Sequence, residues 1–198
     1  PNKTVQGTET VTYINNSPTP LKNIVIKLIL NIHTPGAARQ NNVSADYLTT
    51  GIHIDKFAEN GKEKPFGDAR GQTWRQFRLD KPVPTGDSVQ LDFTWHYEVS
   101  EQSGREGKLD STSFFLAYFY PRVAVMDDVD GWDRMNFTDA QEFYNDFNDY
   151  KVAVTVPKNF IVWGTGDLLN AKVLLQPSYL EKFNKSFSIT FCKFCSGI

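Results

Sequence analysis

The chain has little of what builds a self-contained catalytic or cross-linked protein. Only two of its 198 residues are cysteine, Cys192 and Cys195, spaced C-x-x-C near one end. A disulfide framework needs an even set spread along the chain, and a structural zinc site needs four ligands. The pair therefore reads as two ordinary thiols or a local disulfide. Histidine is almost as scarce: His33, His53 and His96 stand alone, and H-E-x-x-H, which sets two imidazoles one helical turn apart, is absent. Also missing are the G-x-S-x-G nucleophile elbow, the G-x-x-x-x-G-K-[ST] phosphate loop and G-x-G-x-x-G; Gly164-Thr165-Gly166 lacks the later glycine and the helix after it. No stretch approaches the roughly 18 apolar residues of a membrane-spanning helix, because the run over 116–126 is broken by Pro121 and Arg122. Neither charge dominates. With 21 basic and 23 acidic residues the formal charge is −2, which removes the electrostatic case for nucleic acid or an anionic membrane as partner.

What is present is core-forming material, 40% hydrophobic and 14% aromatic, in a pattern that reads mostly as β. Residues 89–99 give the clearest period of two. Val89, Leu91, Phe93, Trp95, Tyr97 and Val99 alternate with Gln, Asp, Thr, His and Glu, so one face belongs to a core and the other to solvent. Residues 23–30 are too continuously apolar for a strand with one wet face, which predicts a central strand covered on both sides. Asn15-Asn16-Ser17-Pro18 between 8–14 and 21–32 predicts a hairpin, and Lys81, Pro82, Pro84 and Gly86 mark a tight reversal over 81–87. Further strands are expected at 51–54, 73–79, 114–120, 150–156 and 160–165, with a charged turn over 59–67. The one helical spacing, Tyr179, Leu180 and Phe183, predicts a helix over 178–187. Without repeats or low-complexity tracts to mark a boundary, residues 1–198 read as a single all-β domain. The architecture expected is an antiparallel β-sandwich or saddle-like pair of sheets, with at most one short helix near the C-terminus and an atypical tail over 188–198.

The acidic stretch over 127–149 carries eight carboxylates and a single cation, Arg134. Asp128, Asp130 and Asp133 around Gly131 could offer oxygen ligands to calcium, although the spacing and the closing glutamate of a calcium loop are not met. The alternative is a solvated loop.

Three segments in order carry a resemblance: Y-P-R-V-A-V-M-D-D over 120–128, Q-E-F-Y-N-D-F over 141–147 and Y-K-V-A-V-T-V-P-K-N-F-I-V-W-G-T-G-D-L over 150–168. Together they resemble the N-terminal domain of the gluzincin aminopeptidases, the aminopeptidase N and leukotriene hydrolase family, in particular its bacterial secreted branch. The resemblance implies a saddle-shaped antiparallel β domain that walls one side of a peptide cleft. It also implies that H-E-x-x-H and its zinc lie in a separate thermolysin-like domain outside these residues. On that reading this chain is not catalytic by itself and holds no cofactor of its own, calcium excepted. Its partner is a peptide substrate met through the other domain, and its location is periplasmic or extracellular, a signal peptide having been removed before Pro1. Relatives place a glutamine or glutamate in the cleft where this sequence has Phe115 and Ala117, which cannot hold a peptide amine. Tyr118, Tyr120 and Arg122 are the nearby groups expected to face substrate. The alternative function is a stand-alone binding module for carbohydrate or protein, using Phe114, Phe115, Tyr118, Phe119, Tyr120, Trp132 and Trp163 as a stacking surface.

Overall fold

The computed structural model describes residues 3–102, 104–140 and 144–188. Residues 141–143, within the second resembling segment, and residues 189–198, with both cysteines, lie outside them. The chain divides into two units, Pro1–Tyr150 and Lys151–Ile198, where the sequence reads as one domain.

The first unit is a two-sheet sandwich. Its first sheet has the order β1-β6-β3-β4. The long strand β6 (Ser88–Glu98) pairs antiparallel along its full length with β1 (Thr4–Ile14), and on its other side with β3 (Ile52–Glu59). Burial alternates along β6 as the period of two requires, with Val89, Leu91, Phe93, Trp95 and Tyr97 all buried. The strand expected over 51–54 extends to Glu59 and turns at Asn60 and Gly61, with φ of 49° and 77°, into β4 (Lys62–Glu63). Two successive positive φ values are what an Asn-Gly pair supplies to a two-residue hairpin whose twist matches its strands.

The second sheet has the order β5-β2-β9, from β5 (Trp74–Val83), β2 (Leu21–Lys27) and β9 (Arg122–Val123). β2 is central as expected, and its consecutive Ile24, Val25 and Ile26 are at most 1% exposed, so both faces are covered. Phe57 of the first sheet packs on Phe77 of the second, with ring centroids 4.9 Å apart, and this contact lies in the core shared by the two layers. Burying these rings together with the aliphatic residues between the layers stabilises the sandwich through the hydrophobic effect.

The hairpin expected between 8–14 and 21–32 does not form: β1 pairs with β6, while β2 pairs with β5 and β9. The reason lies in the two patterns. β1, with one half-buried face, can stand at a sheet edge, whereas β2 needs neighbours on both edges and cover on both faces. The chain therefore arches between layers, and the reversal at Pro84 to Asp87 likewise carries β5 into β6 of the other sheet. Nor does β2 run on to Ile32. After Leu28, whose N–H donates to the Thr73 carbonyl at 2.7 Å, residues Ile29–His33 form a 3-10 turn. Asn31 anchors that turn from its side chain, donating to Ala69 O and Gln72 O and accepting from Ile52 N. A second 3-10 turn covers Ala45–Tyr47.

The aromatic strand expected over 114–120 is shortened to β8 (Phe114–Leu116), paired with β7 (Glu106–Lys108); a turn at Ala117 and Tyr118 ends it. A small ladder joins β10 (Met126–Asp127) to β11 (Gly131–Trp132).

In the second unit the strands expected over 150–156 and 160–165 are not formed among the described residues; a turn joins Phe160 N to Pro157 O at 2.9 Å. Alternation alone does not make a strand without a ladder partner. The expected helix is α2 (Pro177–Ser188), preceded by the single turn α1 (Ala171–Leu174). Pro177 starts α2, where its missing N–H costs nothing. Among the described residues no helix is long and apolar enough to cross a membrane. The protein is all-β, antiparallel, with one substantial helix near the end of the described chain.

Candidate functional site

The floor of the site is a buried acid. Glu106 of β7 is 6% exposed and takes hydrogen bonds from Tyr97 Oη at 3.1 Å and from the Tyr118 N–H at 3.2 Å. Burial pushes its carboxyl up to about 7, against the opposing pull of those donors. The next residue must be glycine: Gly107 has a φ of 124°, and a Cβ there would lie 2.5 Å from the Gln102 carbonyl. Glu106 thus ties the β7-β8 pair to the core Tyr97 and fixes the backbone where Tyr118 begins.

From that floor the chain delivers three side chains to one place. Arg122 of β9 places its guanidinium 5.2 Å from the Tyr120 ring centre and 5.8 Å from that of Tyr118, within cation–π range. It donates through Nη1 to Asn145 Oδ1 at 3.0 Å. Tyr120 Oη donates to Tyr150 Oη at 3.1 Å, and burial raises the Tyr120 hydroxyl to about 12. Tyr118 receives a hydrogen bond from Arg105 and packs edge-on to Phe137, with centroids 5.6 Å apart. Between the two tyrosines Phe119 packs on the Tyr120 ring, with centroids 4.8 Å apart, and on Trp95 of the core at 6.3 Å. Tyr118, Tyr120 and Arg122, which the sequence groups only by proximity along the chain, are brought together in space.

Sequence reasoning missed a fourth member, Glu9. It lies on the half-buried face of β1, and its Oε1 is sealed from solvent with no hydrogen-bond partner. Burial pushes the carboxyl up to about 8 while the charge of Arg122 draws it down, and Glu9 in turn acts on Tyr120. The available clue was alternation: Val5, Gly7, Val11 and Tyr13 share its parity, so a carboxylate stands in an inward register.

The other candidates lie elsewhere. Asp127, rather than Asp128, organises the acidic turn, accepting from the backbone of Val129 and Asp130 and from Tyr144 Oη. Those donors hold its carboxyl below the usual carboxylate range. Asp133 is committed to a buried ion pair, its Oδ2 receiving Lys27 Nζ at 2.8 Å. Asp130 follows the turn and offers only its backbone to Asp127 in these bonds. Among the described residues no three or more His, Cys, Asp or Glu side chains are grouped to hold a metal ion. His33 is buried with Nδ1 on the Tyr47 carbonyl, and burial lowers its pKa.

Of the aromatic stacking surface, Trp132 is buried against Tyr13, at a centroid distance of 5.6 Å, and Phe119 packs on Trp95. Phe115 is 49% exposed, and Trp163 in the second unit is 82% exposed. Within the first unit these rings thus divide between core and surface.

What the cluster offers is recognition chemistry: guanidinium donors, two phenol faces and a carboxyl group with a raised pKa. No protein-family model, curated protein or solved structure matches this chain.

Proposed function

We propose that this chain is the non-catalytic N-terminal β domain of a zinc-metallopeptidase-like protein of the aminopeptidase type, and that it walls one side of a peptide cleft. The observation that carries the reading is the convergence of Tyr118, Tyr120 and Arg122, with Glu9 behind them, at the segment where the sequence resembles that family. The antiparallel β architecture is what that family's N-terminal domain is expected to have. In this role Arg122 donates to a peptide carbonyl or carboxylate, held in plane by Asn145 and by the two phenol rings. Behind it the Glu9 carboxyl, raised by burial to about 8 and drawn down by the charge of Arg122, lines the same wall. Zinc and the attack on the peptide bond belong to the separate domain, and a periplasmic or extracellular location goes with the same reading.

The test is an assay of the purified chain against aminoacyl and peptide reporters with zinc added. The expected result is no turnover; metal-dependent turnover abolished by a chelator overturns the proposal.

A further inference from the structure

On the solvent face of the first sheet, away from the tyrosine and arginine cluster, two of the three histidines meet. His53 of β3 and His96 of β6 are direct cross-strand partners, and their rings stack 4.8 Å apart and within 8° of parallel. Each ring has one nitrogen engaged. His96 Nδ1 is 2.8 Å from Asp55 Oδ2, and His53 Nε2 is 2.9 Å from Thr50 Oγ1. Because a carboxylate only accepts, Asp55 fixes a proton of His96 on Nδ1 and leaves Nε2 as the nitrogen that can bind a metal. Asp55 reaches this position because the ladder between β3 and β6 is irregular between Ile54 and Lys56, which aims its carboxylate along the sheet face at His96. The His96 and Asp55 side chains are 42% and 43% exposed, so an ion can approach them.

We propose that His53 and His96 chelate a divalent transition-metal ion of the copper(II), nickel(II) or zinc(II) class, with Asp55 as the positioning residue for His96. The donor set argues the class: two imidazoles suit these ions, and copper(II) stands highest in the affinity order for nitrogen ligands. A hydrogen bond from the far ring nitrogen to a carboxylate is the outer-shell arrangement that metal-bound histidines characteristically have. Metal–nitrogen bonds of about 2.0–2.1 Å put two ligand nitrogens on one ion within about 4 Å of each other. The ring centroids lie 4.8 Å apart, and because a nitrogen lone pair lies in the plane of its ring, the two side chains rotate out of the stack to turn their free nitrogens, His96 Nε2 and His53 Nδ1, onto one ion. Two protein ligands leave the remaining positions to water, so this is a surface chelate and not a hydrolytic centre.

The experiment is calorimetric titration of the C192S/C195S chain with nickel(II) and with copper(II), the thiols being removed as competing ligands, and with magnesium as control. One equivalent of nickel(II) should bind, copper(II) tighter, and magnesium not at all. H53Q and H96Q should each weaken nickel(II) at least about tenfold, and D55N about tenfold with both imidazoles intact, with partial rescue in D55E. The electron paramagnetic resonance spectrum of the copper(II) form should report two imidazole nitrogens in the parent and one in each histidine variant. Circular dichroism separates these effects from unfolding, since all three side chains stand on an exposed face. Equal affinity in the parent and in H53Q/H96Q, or a copper spectrum unchanged by either substitution, overturns the proposal. Either result leaves the peptide-wall reading untouched.

Discussion

Asn15 Nδ2 donates to the carbonyl of Val83 at 2.9 Å, joining the end of β1 in one sheet to the end of β5 in the other. The same amide donates to Thr19 O at 3.0 Å and accepts from the Ser17 N–H at 2.9 Å. The Asn15 backbone receives Gly86 N–H at 2.7 Å and donates to Asp87 O at 2.8 Å. Two chain crossings between layers are thus stapled by one fully buried residue. Replacing Asn15 with alanine strands the Val83 carbonyl and opens both arches, so urea denaturation should show a loss of about 2–3 kcal/mol.

Lys27, directly across from Arg122 in the second sheet, is 2% exposed and reaches Asp133 Oδ2 and the Met135 carbonyl, each at 2.8 Å. K27M leaves a buried carboxylate without its cation and should cost about 3–5 kcal/mol. D133N keeps the Oδ1 that accepts from the Met135 N–H. K27M/D133N should therefore recover a substantial part of that loss, and a double-mutant cycle of chemical denaturation measures the coupling.

Glu9 and Glu106 set a pH dependence. Their carboxyls are raised by burial from 4.5 to about 8 and about 7. Between pH 4.5 and 8 the folded chain holds protons that the unfolded chain has released, so their contribution is fully present below about pH 4.5 and is lost as pH rises. Neutral glutamine at position 9 cannot ionise. E9Q should therefore be more stable than the parent at pH 8, and equal to it at pH 4.5 to within a few tenths of a kcal/mol. Melting temperatures across that range check it; parallel curves for the two proteins would refute the assignment to Glu9.

Gly7 lies flat under the Trp95 indole, its cross-strand partner, and a Cβ at this position would overlap the ring. The glycine conformation is ordinary extended strand, so the constraint is space and not φ. G7A should displace Trp95 and lower stability by about 1–3 kcal/mol, read by denaturation together with a shift in tryptophan fluorescence.

Arg122 tests the proposed wall. R122K keeps the charge but loses the planar fork that meets Asn145 and lies over the tyrosine rings. Fluorescence titration of the chain with an acetylated peptide should show weaker binding for R122A, with R122K intermediate. Identical affinities in all three proteins would remove Arg122 from the recognition surface.

Much of this fold is written locally. The alternation in β6 and the unbroken apolar run of β2 determine which side chains turn inward, because side-chain direction in a strand follows position alone. The helix over 177–188 is legible for the same reason, from three apolar residues at helical spacing. Over 59–67 composition reads only as a charged turn, and the structure places the two positive φ values of its hairpin at Asn60 and Gly61. Tyr118, Tyr120 and Arg122 could be grouped because they are neighbours in the chain. Glu9 could not, since its closeness to Arg122 depends on the packing of two sheets.

By itself the sequence determined that these residues form antiparallel β structure and which faces of β2 and β6 are buried. Only the tertiary structure decided that β1 and β2 lie in different sheets, that Asp133 belongs to Lys27, and that His53 meets His96. Local pattern selects a residue's face, whereas its partner across a ladder or in an ion pair is chosen by which distant segments pack together. That choice rests on burial and hydrogen bonding summed over the whole sandwich.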